Sequence, residues 1–446
     1  MSLLSRGDGN RLTIRWRTVE WWGAGVSIFL QTGAVFPLLL SDYSGDLPDS
    51  AKSKLRILSL PVYAFTFLIL SKNFRQFTIA LKRSLMFQFI ICLPLLSVVW
   101  SLSPSTTLRR AVGLILSMLF AYVLAIRFTP RQLLLLVMAV LGTCIVSSLT
   151  LRLVSPHLAT MPSDGTLRGI FLHKNGLGWY ASILAAVAAV AALDSEFGFR
   201  RTAILLVIAS LACLAGSTSM TSIIATASAV GLYWIYSTLP KMRGVKRAAF
   251  VLIIVQVIIV ILSTLHEYLV PFLVAVGKDA TLTGRVPLWE LVDEQIGSHL
   301  LLGFGYQAFW TEANPDAWVI WAKIGWMAPH SHNGYRETLL GFGIGAFVVF
   351  MLVLLRAVYQ GASLQCRAPE DGWLWLNVLM VMVLVMNLTE SLLLLQNDCI
   401  FTLFSTAIIM FSYYSPAYAK GTSRRGMGPV QTHGLSVSAS SLGSAL

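Results

Sequence analysis

The sequence predicts an all-α integral membrane protein of about twelve transmembrane helices. Three observations carry this. The mean hydropathy is +0.73. Only 12% of the residues are charged, against about a quarter in soluble domains. Apolar runs recur along the chain at lengths that cross a hydrocarbon core of roughly 30 Å, which takes about 20 helical residues.

In chain order the runs fall at 21–41, 55–71, 84–104, 111–126, 132–151, 176–193, 202–216, 219–239, 248–265, 338–355, 373–389 and 398–415. The first has no small-residue cleavage site and is too long for a signal peptide, so it is expected to stay as a signal anchor. The stretch 202–240 contains no charge and must be two helices, broken at Gly216-Ser217-Thr218. Residues 1–420 therefore read as one polytopic domain. The Gly/Ser-rich tail 421–446 reads as a disordered cytoplasmic segment. Two connections are long, 152–175 and 266–337. The second, 266–337, exceeds ordinary loop lengths and is expected to be functional: a large outer loop before the third-last helix. No internal repeat is visible.

The net charge of +13 raises the question of nucleic acid, which its placement answers. With both termini inside, 21 of the 33 Lys and Arg fall in cytoplasmic segments, and every such segment carries at least two. That is the positive-inside pattern, so the basic excess records topology. Under the same topology six of the seven histidines and fourteen of the twenty acids lie outside. The five cysteines show neither a disulfide framework nor metal spacing. No Asp, Glu, Lys or Arg sits in the middle of any run, where ion-coupled transporters place them. The ionisable groups crowd the outer boundary, which points to chemistry on a membrane-anchored substrate.

Within TLTGRVPLWELVDEQIGSHLLLGFG (281–305), Thr283 is a good N-cap and Pro287 suits a first turn. Leu288, Leu291, Val292 and Ile296 share one face of a short amphipathic helix, expected to be able to lie on the membrane. Arg285 stands at its start, where free N–H groups and the dipole favour an anion. The choice is between a diphosphate seat and a solvated arginine. DGTLRGIFLHKNGLG (164–178) gathers Arg168, His173, Lys174 and Asn175 before a helix, either for an anion or as snorkelling flanks. Arg109 and Arg110 in SLSPSTTLRR breach the basic-inside pattern and face an anion or a lipid headgroup. APHSHNGYRETLLGFGIG (328–345) packs His330, His332, Asn333, Tyr335, Arg336 and Glu337 at the mouth of an apolar run. A metal there would need further ligands, and Glu312 and Asp316 are not at forced spacing. Histidine titrates near neutrality, which makes this cluster a source of a general base.

These landmarks, WSLSPSTTLRRA (100–111), RGIFLHKNGLG (168–178), STSMTS (217–222), LTGRVPLW (282–289), GFGYQAFW (303–310), HNGYRETLLGFGIG (332–345) and LTES (388–391), occur in order over about two-thirds of the chain. Together they resemble the O-antigen ligase and Wzy-type polysaccharide polymerase superfamily, with the exopolysaccharide-polymerase (ExoQ-like) branch closest. The resemblance implies a metal-independent, cofactor-free glycosyltransferase of the inner membrane. Its substrate would be an undecaprenyl-diphosphate-linked glycan, met at the periplasmic face among membrane lipids. By position, His332 matches the family's loop histidine, and Arg168 and Arg285 match arginines that hold the diphosphate. Lys174, Arg109 and Arg110 are expected to assist them. Glu337 is expected to orient the His332 ring, with His173, Asn175, His330, Asn333, Tyr335 and Arg336 in support. His330, beside Pro329, is expected to point away from the acceptor hydroxyl. One departure stands out: Met220 replaces a basic residue frequent in the STSMTS segment. The resemblance implies a polymerase, with a ligase acting on lipid A core as alternative. A chain-length co-polymerase and a flippase are the implied partners. An exporter or flippase, and an assembly scaffold, are the rival classes.

Overall fold

The computed structural model describes residues 4–6, 12–14, 16–34, 36, 49–195, 197–275 and 284–419. The proposed tail 421–446 and Thr283 lie outside them. A short antiparallel hairpin, β1 (Leu4–Arg6) with β2 (Leu12–Ile14), precedes an otherwise helical chain. The helices are α1 Trp16–Gln31, α2 Asp49–Lys72, α3 Phe74–Arg83, α4 Leu85–Leu96, α5 Pro104–Arg127, α6 Pro130–Val154, α7 Lys174–Leu193, α8 Arg200–Ser217, α9 Met220–Thr238, α10 Gly244–Ala275, α11 Arg285–Ser298, α12 Pro315–Ile324, α13 Gly334–Arg367, α14 Trp373–Met386 and α15 Cys399–Ala419. A backbone in hydrocarbon must bond to itself, and the helix is the local solution.

The protein is an all-α membrane protein. Among the described residues seven helices are long and apolar enough to cross a bilayer alone, and eight if α3 with the segment Leu85–Val99 counts as one span bent by 91°. The expected twelve is thus not reached by length and composition. α1 has 16 residues, and among the described residues the apolar part of α2 is Ser59–Lys72. α14 has 14 residues, about 21 Å of helix. The break between α8 and α9 falls at Thr218, which adopts a left-handed conformation with φ 51°.

α7 and α15 are the most buried spans, whereas α8 and α9 are largely exposed. α7 packs along α8 and α9, α9 along α14, and α15 against α5 and α13. One core, from Ala24 to Phe411, fills this bundle. A second, smaller core lies in the segment after α10. There Leu288, Val292 and Ile296 of α11 meet Phe304, Phe309, Ala317, Ile320, Trp321 and Leu340. The expected apolar face of α11 is therefore real, and burying each such side chain contributes roughly 1.5–3 kcal/mol. Its N-cap is Gly284, in the left-handed conformation with φ 80°. The stretch 266–337 is no bare loop. α10 runs into it as far as Ala275, and α11 and α12 fold within it.

This capping segment grips α13 through a break in the helix. Gly343 has φ 72° and ψ −176°, a backbone only glycine adopts without strain. A Cβ there would overlap the Leu301 carbonyl. The freed backbone groups pair with the 300–305 stretch. Ile344 N donates to Leu300 O at 2.8 Å, Phe304 N to Leu340 O at 2.8 Å, and Gly305 N to Gly341 O at 3.0 Å. The cap is thereby fixed to the start of α13, where His332 stands.

Candidate active site

Four helices begin at one end of the bundle and meet the segment 387–391. Asn175, the second residue of α7, donates from Nδ2 to Glu390 Oε1 at 3.5 Å. Thr221, the second residue of α9, shares a 2.7 Å hydrogen bond with the Thr389 hydroxyl. Arg285, the first residue of α11, donates from Nη1 to the Thr389 carbonyl. Its Nη2 lies 2.9 Å from Glu390 Oε1. Asn333, the N-cap of α13, donates from Nδ2 to Leu388 O at 2.9 Å, and its N–H donates to Ser391 Oγ at 3.1 Å. A helix N-terminus leaves backbone N–H groups without intrahelical partners and carries the positive end of a dipole; at α13 Asn333 Oδ1 accepts from those of Tyr335 and Arg336.

Glu390 sits at the centre of this meeting and is 1% exposed. Its Oε2 is 3.7 Å from His332 Nδ1, longer than a hydrogen bond. His332 has φ 51°, a left-handed backbone that histidine visits more readily than most residues. Three contacts keep it there. Ser331 N donates to Glu337 Oε2 at 2.8 Å, His332 N donates to His330 Nδ1 at 3.1 Å, and Ser331 Oγ donates to Asn333 O at 2.9 Å. Trp326 closes one side, its ring 5.7 Å from that of His332.

Of the residues singled out in the sequence, Arg285, His332, Asn175 and Asn333 converge on 387–391. His173 caps α7 through Nδ1, which accepts from Asn175 N at 3.2 Å. Others are engaged elsewhere. Lys174 Nζ pairs with Asp164 at 2.6 Å. Arg168 is buried, with Nε donating to Leu158 O at 3.3 Å. Arg109 is exposed, and Arg110 Nη1 donates to Gln307 O at 2.7 Å. Arg336 makes a two-pronged pair with Asp293 at 2.7 and 2.8 Å and lies over the Trp289 ring. Tyr335 OH donates to Leu384 O at 2.9 Å.

One expectation needs correction. The carboxylate at the His332 ring is that of Glu390, because Glu337 Oε2 accepts from Ser331 N and from Trp310 Nε1 at 3.2 Å. Glu337 holds the loop backbone instead of the imidazole. His330 stacks on His332: its ring centroid is 4.1 Å from that of His332, since the left-handed backbone at His332 folds the two side chains together. Burial, and then His332 and Arg285, push the His330 pKa down to about 3, so its Nδ1 is a stable acceptor at neutral pH. Glu390 itself was absent from the sequence-based site, although LTES was among the landmarks. At Met220 the neighbouring Ser219, Thr221 and Ser222 are buried and supply hydroxyls where a cation was expected.

Residues 204–351, about a third of the chain, match the family model for O-antigen ligase. That stretch holds Arg285, His332 and Glu337 and ends before Glu390. The chain is also 31% identical over 273 residues to the exopolysaccharide production protein ExoQ of Rhizobium meliloti (strain 1021), which covers 59% of this chain and 62% of that protein. The chain thus matches somewhat under two-thirds of its relative's length. Both findings agree with the landmarks, and the assignment they support is to the O-antigen ligase and Wzy-type superfamily, ExoQ-like.

Proposed function

We propose that the protein polymerises undecaprenyl-diphosphate-linked oligosaccharide repeat units into exopolysaccharide or O-antigen by glycosyl transfer. The proposed setting is the periplasmic face of the inner membrane, with both termini cytoplasmic. The carrying observation is the meeting of four helix starts, one arginine and one imidazole around Glu390. Helix N-termini suit a diphosphate, and the planar fork of Arg285 suits two of its oxygens.

In the reaction a sugar hydroxyl of the acceptor attacks the anomeric carbon of the donor. The bond from that carbon to the diphosphate oxygen breaks, and its electron pair leaves with undecaprenyl diphosphate. The hydroxyl proton passes to His332. Because Nδ1 faces Glu390, Nε2 is the nitrogen that takes it. Arg285 is paired with Glu390 at rest. An arriving diphosphate competes for that guanidinium and leaves the Glu390 charge to the imidazole, so the base is best supported when the donor is seated. Developing charge on the leaving group is met by Arg285 and the helix starts. Arg168, from the neighbouring loop, is proposed as a further diphosphate contact.

Among the described residues no three His, Cys, Asp or Glu side chains converge as a metal would require. The proposed mechanism uses no metal, so EDTA is expected to leave the rate unchanged; loss restored by one divalent metal would overturn it. A ligase acting on lipid A core is the second reading, favoured by the family model's own description. Purified protein in lipid, given lipid-linked repeat units, separates the readings. A ladder of products supports polymerisation, transfer to added lipid A core supports ligation, and neither leaves an exporter, flippase or scaffold. A chain-length co-polymerase and a flippase are the proposed partners.

A further inference from the structure

The end of the bundle away from Glu390 holds a cavity that the mechanism does not use. α7 begins at the site with Lys174 and ends at this cavity with Leu193, 20 residues later, which is about 30 Å of helix. The cavity measures about 240 Å³, roughly fifteen times or more the space that one water needs. Four helix ends enclose it. Arg131 is the second residue of α6, Val190 and Leu193 stand in the last turn of α7, Tyr233 lies near the end of α9, and Leu374 and Trp375 stand in the first turn of α14. α6, α7 and α9 are long and apolar enough to cross a bilayer. The cavity therefore lies where spans end, at the depth of the lipid headgroups.

Among the described residues its charged lining is one guanidinium, Arg131, and two carboxylates, Asp194 and Glu370. Arg131 Nη2 and Asp194 Oδ2 are 3.2 Å apart, and the two side chains stay 38% and 33% exposed. A guanidinium has five N–H donors and a carboxylate about four acceptor sites, so both remain open to a ligand. The stem of Arg131 lies against Gly372, where a Cβ would come within 2.7 Å of Arg131 Cγ. Trp375 Nε1 donates to Pro130 O at 2.9 Å. These contacts hold the start of α6 on α14, so the guanidinium stands on a fixed backbone. The helix dipoles divide the space in the same sense. α6 and α14 present their positive starts, and α7 presents its negative end. Asp194, the C-cap of α7, adds a full negative charge to that end.

We propose that this cavity binds the headgroup of a zwitterionic aminophospholipid. Its phosphate lies against Arg131 and the starts of α6 and α14, and its primary ammonium against Asp194, Glu370 and the end of α7. An acidic phospholipid would bring a phosphate and no cation for the two carboxylates. A choline headgroup carries positive charge but has no N–H to donate to them. Leu193, in the lining and 59% exposed, gives the acyl chains an apolar exit. The inference does not rest on the glycosyl-transfer reading.

The test uses the whole protein, stripped of lipid in detergent, with dioleoyl phosphatidylethanolamine, phosphatidylcholine and phosphatidylglycerol as probes. Retention of each is read by native mass spectrometry. Phosphatidylethanolamine should bind at least tenfold more tightly than either of the others, as hydrogen bonds from an ammonium to carboxylates imply. In the double variant Asp194→Asn, Glu370→Gln that preference should vanish while circular dichroism stays unchanged. A second measurement needs no variant. Phosphatidylethanolamine carrying a diazirine close to its glycerol, photolysed on the wild-type protein, should label the last turn of α7 and the start of α14. The proposal is overturned by equal retention of the three lipids, by tighter binding of phosphatidylglycerol, by an unaltered preference in the double variant, or by label confined to other helices.

Discussion

Two buried glutamates, one at each end of the bundle, are held very differently. Glu20 receives Arg127 through Nε at 3.1 Å and Nη2 at 3.0 Å, and Arg17 through Nη1 at 2.9 Å. The two guanidinium groups are themselves engaged. Arg127 Nη1 reaches Asn73 Oδ1 at 3.0 Å, and Arg17 Nη2 reaches Gln132 Oε1 at 2.7 Å. Four segments of the bundle are tied together at that carboxylate. Glu390 has one arginine, an amide at 3.5 Å and an imidazole at 3.7 Å. A carboxylate can accept about four hydrogen bonds. Glu20 takes three from two arginines, whereas Glu390 takes two, one of them long. The first is a latch; in the proposed mechanism the second keeps capacity for a reacting imidazole and shares its arginine with the arriving anion.

The largest effect that separates the two ends should come from His332. His332→Asn, chosen because asparagine tolerates a left-handed backbone, should lower the transfer rate by about 10²–10⁴, the usual contribution of a general base. Heat stability and donor binding should stay near wild type. Turnover within a few-fold of wild type would make the imidazole a structural group like the residues around Glu20.

Arg285→Lys comes next. It keeps the charge and loses the fork, and a loss of at least tenfold, roughly 1.4 kcal/mol of transition-state stabilisation, is expected. Wild-type rate in this variant would assign Arg285 to the latch class. A separate effect, on stability, is expected with pH. The folded pKa of His330 is about 3, below its unfolded value of about 6.5. The unfolded chain therefore binds a proton that the folded chain refuses. Stability should be full above about pH 6.5 and fall as the pH drops toward about 3. Hydrogen exchange of residues 330–337 should show this acid slope, and His330→Asn should flatten it. An unchanged slope in the variant would place the titrating group elsewhere.

Local patterns in the sequence were enough to anticipate the all-α membrane class, the α8–α9 break and the apolar face of α11, although that face packs on the core of the cap and not on the membrane. Each depends on composition or spacing within one segment. What could not be read locally depends on which helix starts the fold brings together. Glu390 meets Arg285 from 105 positions away and Asn175 from 215. Nothing in LTES says which acid will find them. The His330–His332 stack follows from a positive φ that the spacing alone does not show. The break in α13 hides inside an apolar run that reads as continuous helix, although GFGIG (341–345) is the signal that could have revealed it. The reassignment of Glu337 has the same origin: one helical turn places it against the Ser331 amide, and sequence proximity to His332 suggested the ring.

The central claim, that Glu390 serves chemistry while Glu20 serves the fold, is tested most directly by comparing Glu390→Gln with Glu20→Gln in one preparation. The rate of product formation is measured per molecule of folded protein, together with the fraction surviving a graded heating step. Glu390→Gln should lose at least tenfold in rate with heat survival close to wild type. Glu20→Gln should be destabilised by about 3 kcal/mol, as expected when a buried ion pair is broken, while its folded fraction turns over at the wild-type rate. Wild-type turnover in Glu390→Gln, or equal losses of rate in the two folded variants, would contradict the account.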